Sequence, residues 1–265
     1  MGALPERMRD FASSYANWDG LRSLCLTIDV DFAPDYMVEH VLGILDEHAA
    51  TATAFATHAC EPLVRAAREG SVEVGTHPNL TAGSTHDSEL ANVVAELLRA
   101  YPDAVGNRFH VLGHSYRDLV TLSGAGFRYD VSALRFNCPY VLPAWHPDLS
   151  MVLLTYTWED GIAENAGLAL EVGSIDLESP GLKILNFHPV NVFLNGSDSR
   201  PRLELMREVE RISECPRKTA ERFRSPGAAG AGHALRAVLD LVRERGVRLV
   251  PLREVADAFA DAHSA

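Results

Sequence analysis

The sequence alternates short apolar runs, rich in β-branched residues, with longer stretches whose apolar residues recur at helical spacing. Residues 23–30 (SLCLTIDV) have the composition of a buried strand, and residues 34–49 carry a helical stripe of apolar side chains. Such units recur, ending with a predicted helix over 233–245, a strand over 247–251 and a helix over 254–263. Repeated strand–helix units pack as a mostly parallel sheet, so the pattern predicts an α/β fold, either doubly wound or closed into a barrel.

Length and charge narrow the classes of protein that this chain can be. Its 265 residues, 47% hydrophobic and 23% charged, suit a soluble α/β protein, and we expect a single domain over 1–265. The net charge of −12 argues against nucleic acid or an anionic membrane as a partner, because both would repel the chain. No apolar run is long enough to cross a membrane. The oligomeric state does not follow from the sequence.

The amino-terminal stretch and the cysteines bear on the compartment. Residues 1–20 have neither a basic start nor an apolar core segment, so we predict no export signal. The four cysteines contain no Cys-x-x-Cys pair, which favours reduced thiols over disulfides or a thiolate metal site. We therefore expect a cytoplasmic protein.

Two carboxylates lie at the end of the first predicted strand. Asp29 and Asp31 alternate with Ile28 and Val30, so an extended chain would point both carboxylates to one face. A carboxylate removed from water needs a cation or hydrogen bonds. The pair therefore indicates a site above the sheet, although a helix cap followed by a solvated loop acid explains it as well.

Polar side chains also stand at the ends of four later predicted strands. His77 follows Gly75 and precedes Pro78, which would hold its imidazole in place. The other candidates are Arg108 with His110, Trp158 with Asp160, and Asn186 with His188. Taken singly, each has an ordinary structural explanation, such as a surface ion pair, a core filler or a turn acid.

The ordered set of motifs resembles the polysaccharide-deacetylase family (NodB homology, carbohydrate esterase family 4), in its divergent WbmS-like branch. The motifs are TIDVD, GTHPN with STHD, NRFH, YTWEDG and LNFHPVNVFLN, and the resemblance covers about residues 23–255. It implies a distorted (β/α) barrel of about seven strands. It also implies a metal-dependent hydrolase that removes an acetyl or other small acyl group from an amine.

The resemblance further implies a role for the first motifs. Asp31, His77 and His86 would bind a divalent metal, with Zn2+ as the first choice and Co2+, Ni2+, Mn2+ or Fe2+ as substitutes. Asp29 would be the general base for a water molecule, with Arg108 orienting it.

The remaining motifs would supply the acid and the substrate contacts. His188 would protonate the departing amine, with Asp160 as its orienting partner. Trp158 would form a wall of the acyl pocket. Further substrate contacts are expected from His110, Asn79 and Asn186.

Two departures from the family pattern affect these assignments. The family's two carboxylates are normally adjacent, whereas Val30 separates them here. The second histidine normally follows the first by four residues, where this chain has Thr81, so a role for His86 requires a loop that folds back. His110 and His114 are the alternative ligands.

Two other functions fit parts of the pattern. A strand ending in Asp-x-Asp also begins haloacid-dehalogenase-like phosphatases, with Asp29 as nucleophile and Asp31 as acid and base. That class normally has Thr or Val where this chain has Ala33, and a late lysine for which only Lys183 and Lys218 are available. It also leaves the histidines unexplained. A catalytically inactive relative that binds a glycan is the second alternative, and the presence of both proton-transfer residues argues against it.

The substrate follows only as a class. The expected lack of export favours a small acylated amine, such as an amino sugar or aminonucleoside intermediate of glycan or antibiotic biosynthesis, over a wall polymer. Residues 212–232 form a basic segment within an acidic chain, containing Arg217, Lys218, Arg222 and Arg224. The segment either lines the site and recognises an anionic group or is a solvated run of charge.

Overall fold

The computed structural model describes residues 23–138, 141, 143–177, 182–227 and 229–263. The strands are β1 (Ser23–Asp29), β2 (Thr53–Ala56), β3 (Glu73–Thr76), β4 (Gly106–Asn107), β5 (Tyr129–Asp130), β6 (Ala144–His146), β7 (Met151–Leu153), β8 (Trp158–Glu159), β9 (Ile184–Phe187) and β10 (Arg248–Leu249). The helices are α1 (Asp35–Glu47), α2 (Glu61–Glu69), α3 (Leu90–Ala100), α4 (Tyr116–Gly124), α5 (Asp160–Asn165), α6 (Pro189–Leu194), α7 (Arg200–Glu208), α8 (Arg217–Glu221), α9 (Ala231–Glu244) and α10 (Leu252–His263). Short 3-10 turns lie at His110–Leu112, Pro147–Leu149, Val172–Ser174 and Ile212–Glu214.

The strands form one curled sheet in the order β6-β7-β5-β4-β3-β2-β1-β9-β8, and β10 also pairs with β1. Among the pairings of these ten strands, only β6 with β7 is antiparallel, and an isolated antiparallel bridge joins Val141 to Leu182. Tyr156, just before β8, pairs with Leu134, just after β5, so the sheet curls towards closure at that point. The predicted α/β class and NodB-type fold are confirmed, and the structure shows the expected distorted barrel as a curled half-barrel. The strands outnumber the predicted seven because several are only two or three residues long.

The two faces of the sheet have separate apolar cores. Alternation along β1 turns Leu24, Leu26 and Ile28 outward, where they pack in one core with helix residues such as Val41 and Leu235. Cys25 points inward, into a second core that includes side chains of β2, β5 and α10. Burying a side chain of this size contributes about 1.5–3 kcal/mol, so both cores fix the direction in which each strand ends.

The strand that carries the NRFH motif is short. Strand β4 has only two residues, and a 3-10 turn over His110–Leu112 follows it. Gly106 allows β4 to approach β5, since a Cβ at this position would lie 1.9 Å from Cζ of Tyr129. Val111 follows with a positive φ of 49°, which is uncommon for a β-branched residue. The chain therefore turns sharply just where His110 is presented.

All four cysteines are unpaired and three of them are buried. None of the helices in the described ranges combines the length and the apolar character needed to cross a membrane.

Candidate metal and acid-base site

Asp29 is the last residue of β1 and lies almost fully buried in the mouth of the half-barrel. Its Oδ1 accepts a hydrogen bond of 2.8 Å from Nη1 of Arg108, and its Oδ2 accepts one of 2.9 Å from Nδ2 of Asn186. These donors come from the chain just after β4 and from β9, which end at the same edge of the sheet as β1. Both carboxylate oxygens are therefore held in fixed orientation, as the predicted role of Arg108 requires.

Arg108 is fully buried and lies between two aromatic rings. Its guanidinium carbon is 4.6 Å from the ring centre of Phe55 and 4.2 Å from that of Tyr156. Nη1 also donates to Thr27 Oγ1 at 2.9 Å and to Asn186 Oδ1 at 2.7 Å. Its Nε also donates to the carbonyl oxygen of Val131 at 3.3 Å. A cation held by two ring faces and four acceptors is fixed in place beside Asp29. Asn186, expected as a substrate contact, belongs to this same network.

Asp31 reaches the site by a turn and not by extension of the strand. Strand β1 ends at Asp29, and both Asp31 and Phe32 have positive φ, at 48° and 56°. The backbone N–H of Phe32 donates to Thr57 Oγ1 at 2.8 Å, which fixes the turn. The two carboxylates lie at one site, as predicted. The predicted cause, alternation along an extended strand, is wrong, because Asp31 lies in a turn after the strand.

Asp31 lies beside two imidazoles from neighbouring segments. Its Oδ1 is 3.1 Å from Nε2 of His77 and 2.9 Å from Nδ1 of His110. One ligand atom from each of the three residues lies within 4.8 Å of the others. Asp31 has a side chain 26% exposed and His77 only 3%, so the cluster opens to solvent on the Asp31 side. One carboxylate and two imidazoles with open positions are a donor set that suits zinc and related divalent ions.

The hydrogen bonds of His77 leave one nitrogen aimed at the carboxylates. Nδ1 lies 2.7 Å from the carbonyl oxygen of Arg108 and therefore carries the proton that it donates. Nε2 then presents a lone pair to Asp31 Oδ1, a contact that is repulsive unless a second proton or a cation lies between them. A backbone carbonyl on the far nitrogen is the usual support of a metal-binding histidine.

The charges around this cluster lower the pKa of its carboxylate and raise the pKa of its buried imidazole. Burial alone would raise the pKa of Asp31, but hydrogen bonds from His110 and His77 hold it well below its usual range. Burial alone would lower the pKa of His77, but the carboxylates of Asp29 and Asp31 outweigh burial and raise it. The site therefore favours positive charge between its carboxylate and its imidazoles.

His86 does not join this cluster, which departs from the sequence prediction. Its Nε2 donates to the carbonyl oxygen of Thr57 at 2.6 Å, and its Nδ1 accepts the backbone N–H of Asn79 at 2.9 Å. Burial lowers the pKa of His86, consistent with a neutral ring. Both ring nitrogens thus form hydrogen bonds with backbone groups, and through them His86 stabilises the loop after β3. His110, expected as a substrate contact and alternative ligand, stands beside Asp31 instead. His114, the other alternative, stacks on Phe109, with ring centres 5.0 Å apart.

His188 follows β9 and faces Oδ2 of Asp31, whereas His77 and His110 contact Oδ1. The Nδ1 of His188 donates to Asp160 Oδ1 at 2.6 Å, and its backbone N–H donates to Asp160 Oδ2 at 2.9 Å. Its Nε2 faces the site, 3.6 Å from Asp31 Oδ2. Burial alone would lower the pKa of His188, but the ion pair with buried Asp160 raises it well above its ordinary value. The structure therefore brings the predicted acid and its partner together.

Two predicted substrate contacts occupy structural positions instead. Trp158 pairs in register with Leu185 on the outward face of the sheet, where it packs on Phe187 with ring centres 5.1 Å apart. It belongs to the outer core and does not line the site. The Oδ1 of Asn79 accepts hydrogen bonds from the backbone N–H and the hydroxyl of Thr81. Asn79 therefore closes a turn of the loop that His86 fastens.

Glu159 is a site residue to which the sequence assigned no role. It pairs in register with Asn186, so it shares the inward face with Asn186 and Thr27. Its Oε2 accepts a hydrogen bond of 2.5 Å from the hydroxyl of Tyr156, the residue whose ring packs on Arg108. Strand alternation at YTWEDG places Trp158 and Glu159 on opposite faces, and this signal could have found Glu159.

The basic segment is mostly paired on the surface. Arg222 forms hydrogen bonds of 3.0 and 3.1 Å with Glu208, and Arg217 bonds to Glu221 at 2.9 Å. Arg224 donates to the carbonyl oxygen of Phe193 and lies over its ring. These contacts favour the interpretation as a solvated run of charge.

A curled sheet that gathers carboxylates, imidazoles and a buried arginine at one edge defines a polysaccharide-deacetylase type of protein. The model of the WbmS-like polysaccharide deacetylase family matches residues 26–202, which is more than half of the chain. The protein therefore belongs to the WbmS-like polysaccharide deacetylase family. No curated protein matches its sequence.

Two solved structures illustrate the similarity. A candidate polysaccharide deacetylase of Bordetella bronchiseptica, described as involved in O-antigen biosynthesis, is 26% identical, with a TM-score of 0.72 over 84% of this chain and 92% of its own. A candidate polysaccharide deacetylase of Mycobacterium smegmatis is 18% identical, with a TM-score of 0.60 over 96% of this chain and 95% of its own. The second likeness establishes the fold alone.

Proposed function

We propose that this protein is a metal-dependent deacetylase that hydrolyses the amide of an acylated amine. The observation that carries the proposal is the cluster of Asp31, His77 and His110. The buried carboxylate of Asp29 lies 3.9 Å from Nε2 of His77, and Nε2 of His188 lies 3.6 Å from Oδ2 of Asp31. Family membership supports the deacetylase activity. We further propose which cation is bound, which substrate is hydrolysed and which residue has each role.

Asp31, His77 and His110 would hold the cation. The lone pair of His77 Nε2 aimed at Asp31 Oδ1 is a contact that a divalent ion would relieve. Zinc is the first choice for this donor set, and Co2+, Ni2+, Mn2+ and Fe2+ are substitutes. When bound, such an ion activates water and polarises the carbonyl of the amide.

Asp29 would accept the proton of the attacking water. Its oxygens are already oriented by Arg108 and Asn186, so the carboxylate does not have to reorganise during the reaction. Because Oδ2 lies 3.9 Å from Nε2 of His77, the base stands beside the proposed ligands. This distance leaves room for a water molecule within reach of both.

His188 would protonate the departing amine from Nε2. Asp160 takes the Nδ1 proton at 2.6 Å, which fixes the ring and stabilises the charged imidazolium. The ion pair with Asp160 raises the pKa of His188, which favours the protonated ring that a general acid needs. The proposed base and the proposed acid would thus both stand next to the proposed metal ligands.

The substrate class is proposed from the family and its relative. The name of the matched family indicates an acetylated sugar, and the Bordetella protein is described as involved in O-antigen biosynthesis. We infer a small acylated amino sugar or a related glycan intermediate as the substrate. The acidic net charge gives no support to a nucleic acid partner.

The test is acetate release from a panel of N-acetylated amino sugars and aminonucleosides, with and without a chelator. We expect release that stops on chelation and returns when zinc is added. Magnesium-dependent release of phosphate from phosphate esters would instead support the phosphatase alternative. Metal bound at one ion per chain without hydrolysis of any acylated amine would support the inactive glycan-binding alternative.

A further inference from the structure

Asp31 lies in a tight turn whose two central residues both have left-handed backbone. The backbone N–H of Ala33 donates to the carbonyl oxygen of Val30 at 2.8 Å, which closes the turn. Asp31 and Phe32, at its centre, have φ values of 48° and 56°. Turns of this kind favour Asn, Asp or Gly at both central positions, because a Cβ crowds the backbone there. An aromatic residue at the second position is therefore strained.

A second turn of the same kind follows His110. The backbone N–H of Gly113 donates to the carbonyl oxygen of His110 at 3.3 Å, and Val111 and Leu112 between them have φ values of 49° and 58°. Asp31 and His110 thus each adjoin a strained turn. Backbone strain persists only where surrounding contacts hold it, and it concentrates at functional sites. The contacts that hold the turn at Asp31 therefore act on a proposed metal ligand.

Thr57 makes the main contact with this turn. It directly follows β2, which runs parallel to β1 with Phe55 opposite Asp29. Its Oγ1 accepts the backbone N–H of Phe32 at 2.8 Å. This N–H belongs to the planar peptide group that joins Asp31 to Phe32. The hydrogen bond therefore fixes the backbone from which the carboxylate of Asp31 projects.

The hydroxyl of Thr57 is itself held in a fixed orientation. Thr57 is 1% exposed, and its Oγ1 lies 3.0 Å from Nδ1 of His58. Because the oxygen accepts from Phe32, its single proton is free to be donated to that nitrogen. The carbonyl oxygen of Thr57 accepts from Nε2 of His86 at 2.6 Å. The ring of Phe32 packs on both imidazoles, with its centre 6.1 Å from that of His58 and 5.0 Å from that of His86.

We propose that Thr57 is a positioning residue, which holds Asp31 in the strained turn that aims its carboxylate at two imidazoles. Oδ1 of Asp31 lies 3.1 Å from Nε2 of His77 and 2.9 Å from Nδ1 of His110. Without the hydroxyl of Thr57, the turn would relax towards negative φ and carry the carboxylate away from both rings. This inference rests on the metal site of the function proposed above.

The first experiment replaces the hydroxyl and then restores it. Thr57→Val puts a methyl group in its place and should weaken zinc binding by about 10–100-fold, the usual cost of losing a supporting partner of a ligand. Thr57→Ser keeps the hydroxyl and should restore most of the affinity. Competition of the full chain with a chromophoric zinc chelator measures the affinity, and thermal unfolding without metal measures the stability.

Thr53→Val is the matched control at the other end of the same strand. Thr53 is also buried, and its Oγ1 also accepts a backbone N–H, that of Leu252 at 2.9 Å. The substitution should lower Tm as Thr57→Val does, because each removes one buried hydroxyl with its hydrogen bonds. The zinc affinity of Thr53→Val should stay at the wild-type value.

A second pair of variants tests the strain and leaves Thr57 intact. Phe32→Gly and Phe32→Ala both remove the ring, and they differ in that glycine adopts positive φ without strain. The glycine variant should therefore unfold about 2–4 °C above the alanine variant in the absence of metal. Equal Tm values would show that the turn is not strained and would contradict the proposal, even if Thr57→Val did not fold.

The remaining outcomes separate this role from the proposed function. Wild-type zinc affinity in Thr57→Val, an equal loss in Thr53→Val, or no recovery in Thr57→Ser would overturn the role of Thr57 and leave the deacetylase proposal intact. A wild-type protein that binds no zinc would overturn both. The expected zinc affinities in a protein that hydrolyses no acylated amine would support the role of Thr57 and reject the deacetylase proposal.

Discussion

The two ends of the sheet each hold a carboxylate, and the partners of the two carboxylates differ. Glu73, at the amino end of β3, accepts hydrogen bonds from Thr53 at 2.8 Å, from Tyr129 at 2.7 Å and from the backbone of Arg253 at 3.0 Å. Asp31, beyond the carboxyl end of β1, has two imidazoles as its closest side-chain partners. The first set of partners is complete without a ligand, whereas the second can exchange a proton for a cation.

Exposure reinforces the difference. The side chain of Glu73 is 5% exposed and that of Asp31 is 26% exposed. A buried carboxylate with permanent donors stabilises the fold, because each net hydrogen bond contributes about 0.5–1.5 kcal/mol. An open carboxylate surrounded by titratable groups is arranged for chemistry. The comparison therefore separates a structural end of the half-barrel from a reactive one.

The largest expected effect is on catalysis at the reactive end. Asp29→Asn and His188→Gln should each lower kcat for deacetylation by on the order of 10²–10⁴-fold, because each removes a proton-transfer group. Steady-state acetate release on a substrate turned over by the wild type measures this. Glu73→Gln is the control from the other end, and its kcat should stay near that of the wild type. A loss below about tenfold in both active-site variants would contradict the assigned roles.

The second prediction compares two histidines near the proposed site, His110 and His86, by zinc affinity and by stability. His110→Ala should weaken zinc binding by more than the roughly 10–100-fold that loss of a supporting partner costs, because it removes a proposed ligand. His86→Ala should keep the zinc affinity and lose about 1–3 kcal/mol of stability, because it breaks two backbone contacts. Competition with a zinc chelator and urea denaturation give the two readouts. If His86→Ala lost zinc affinity and His110→Ala kept it, His86 and not His110 would be the metal ligand.

The third prediction concerns Glu164, a buried carboxyl group with one oxygen that lacks a hydrogen-bond partner among the described residues. Its Oε2 receives no hydrogen bond from the described residues, and Nε of Arg202 lies 3.9 Å away. Burial raises the pKa of Glu164 from 4.5 to about 8. A raised acidic pKa means that the unfolded chain releases this proton first, so ionisation destabilises the fold as pH rises from about 4.5 to about 8.

Glu164→Gln cannot ionise and should gain stability relative to the wild type across that range, by a few kcal/mol, with the difference constant above it. Urea denaturation of both proteins from pH 5 to pH 9 measures the trend. Parallel stability curves for the two proteins would reject the shift.

The smallest expected effect is at the structural end. Glu73→Gln should lower the free energy of unfolding by about 1–3 kcal/mol, because an amide nitrogen replaces one acceptor of the three hydrogen bonds. Thermal or urea unfolding measures it, and zinc affinity is the matched control. A change in zinc affinity without a change in stability would erase the distinction between the two ends.

The strand–helix alternation predicted an α/β fold with a mostly parallel sheet, and the family resemblance predicted the barrel and which side chains would meet. Asp29, Arg108, His188 and Asp160 lie together as expected, because the carboxyl ends of parallel neighbouring strands share one edge of a sheet. The helices predicted over 233–245 and 254–263 from apolar spacing are observed as α9 and α10. These features depend on local pattern and on topology, which the chain order fixes.

Details that depend on non-local contacts were missed. Trp158 belongs to the outer core because the register of β8 with β9 turns it away from the site and turns Glu159 inward. His86 forms hydrogen bonds with the backbone because the loop after β3 folds back to Thr57.

The sequence by itself predicted the class of fold, the edge of the sheet at which the site side chains lie, and the residue types found there. Only the tertiary structure placed His110, and not His86, beside Asp31, and it brings Asp31 to the site through a turn with positive φ. The physical reason is that side-chain period and residue type are local properties. The choice between two histidines depends instead on which backbone groups reach each ring first, and only the folded chain brings those groups into contact.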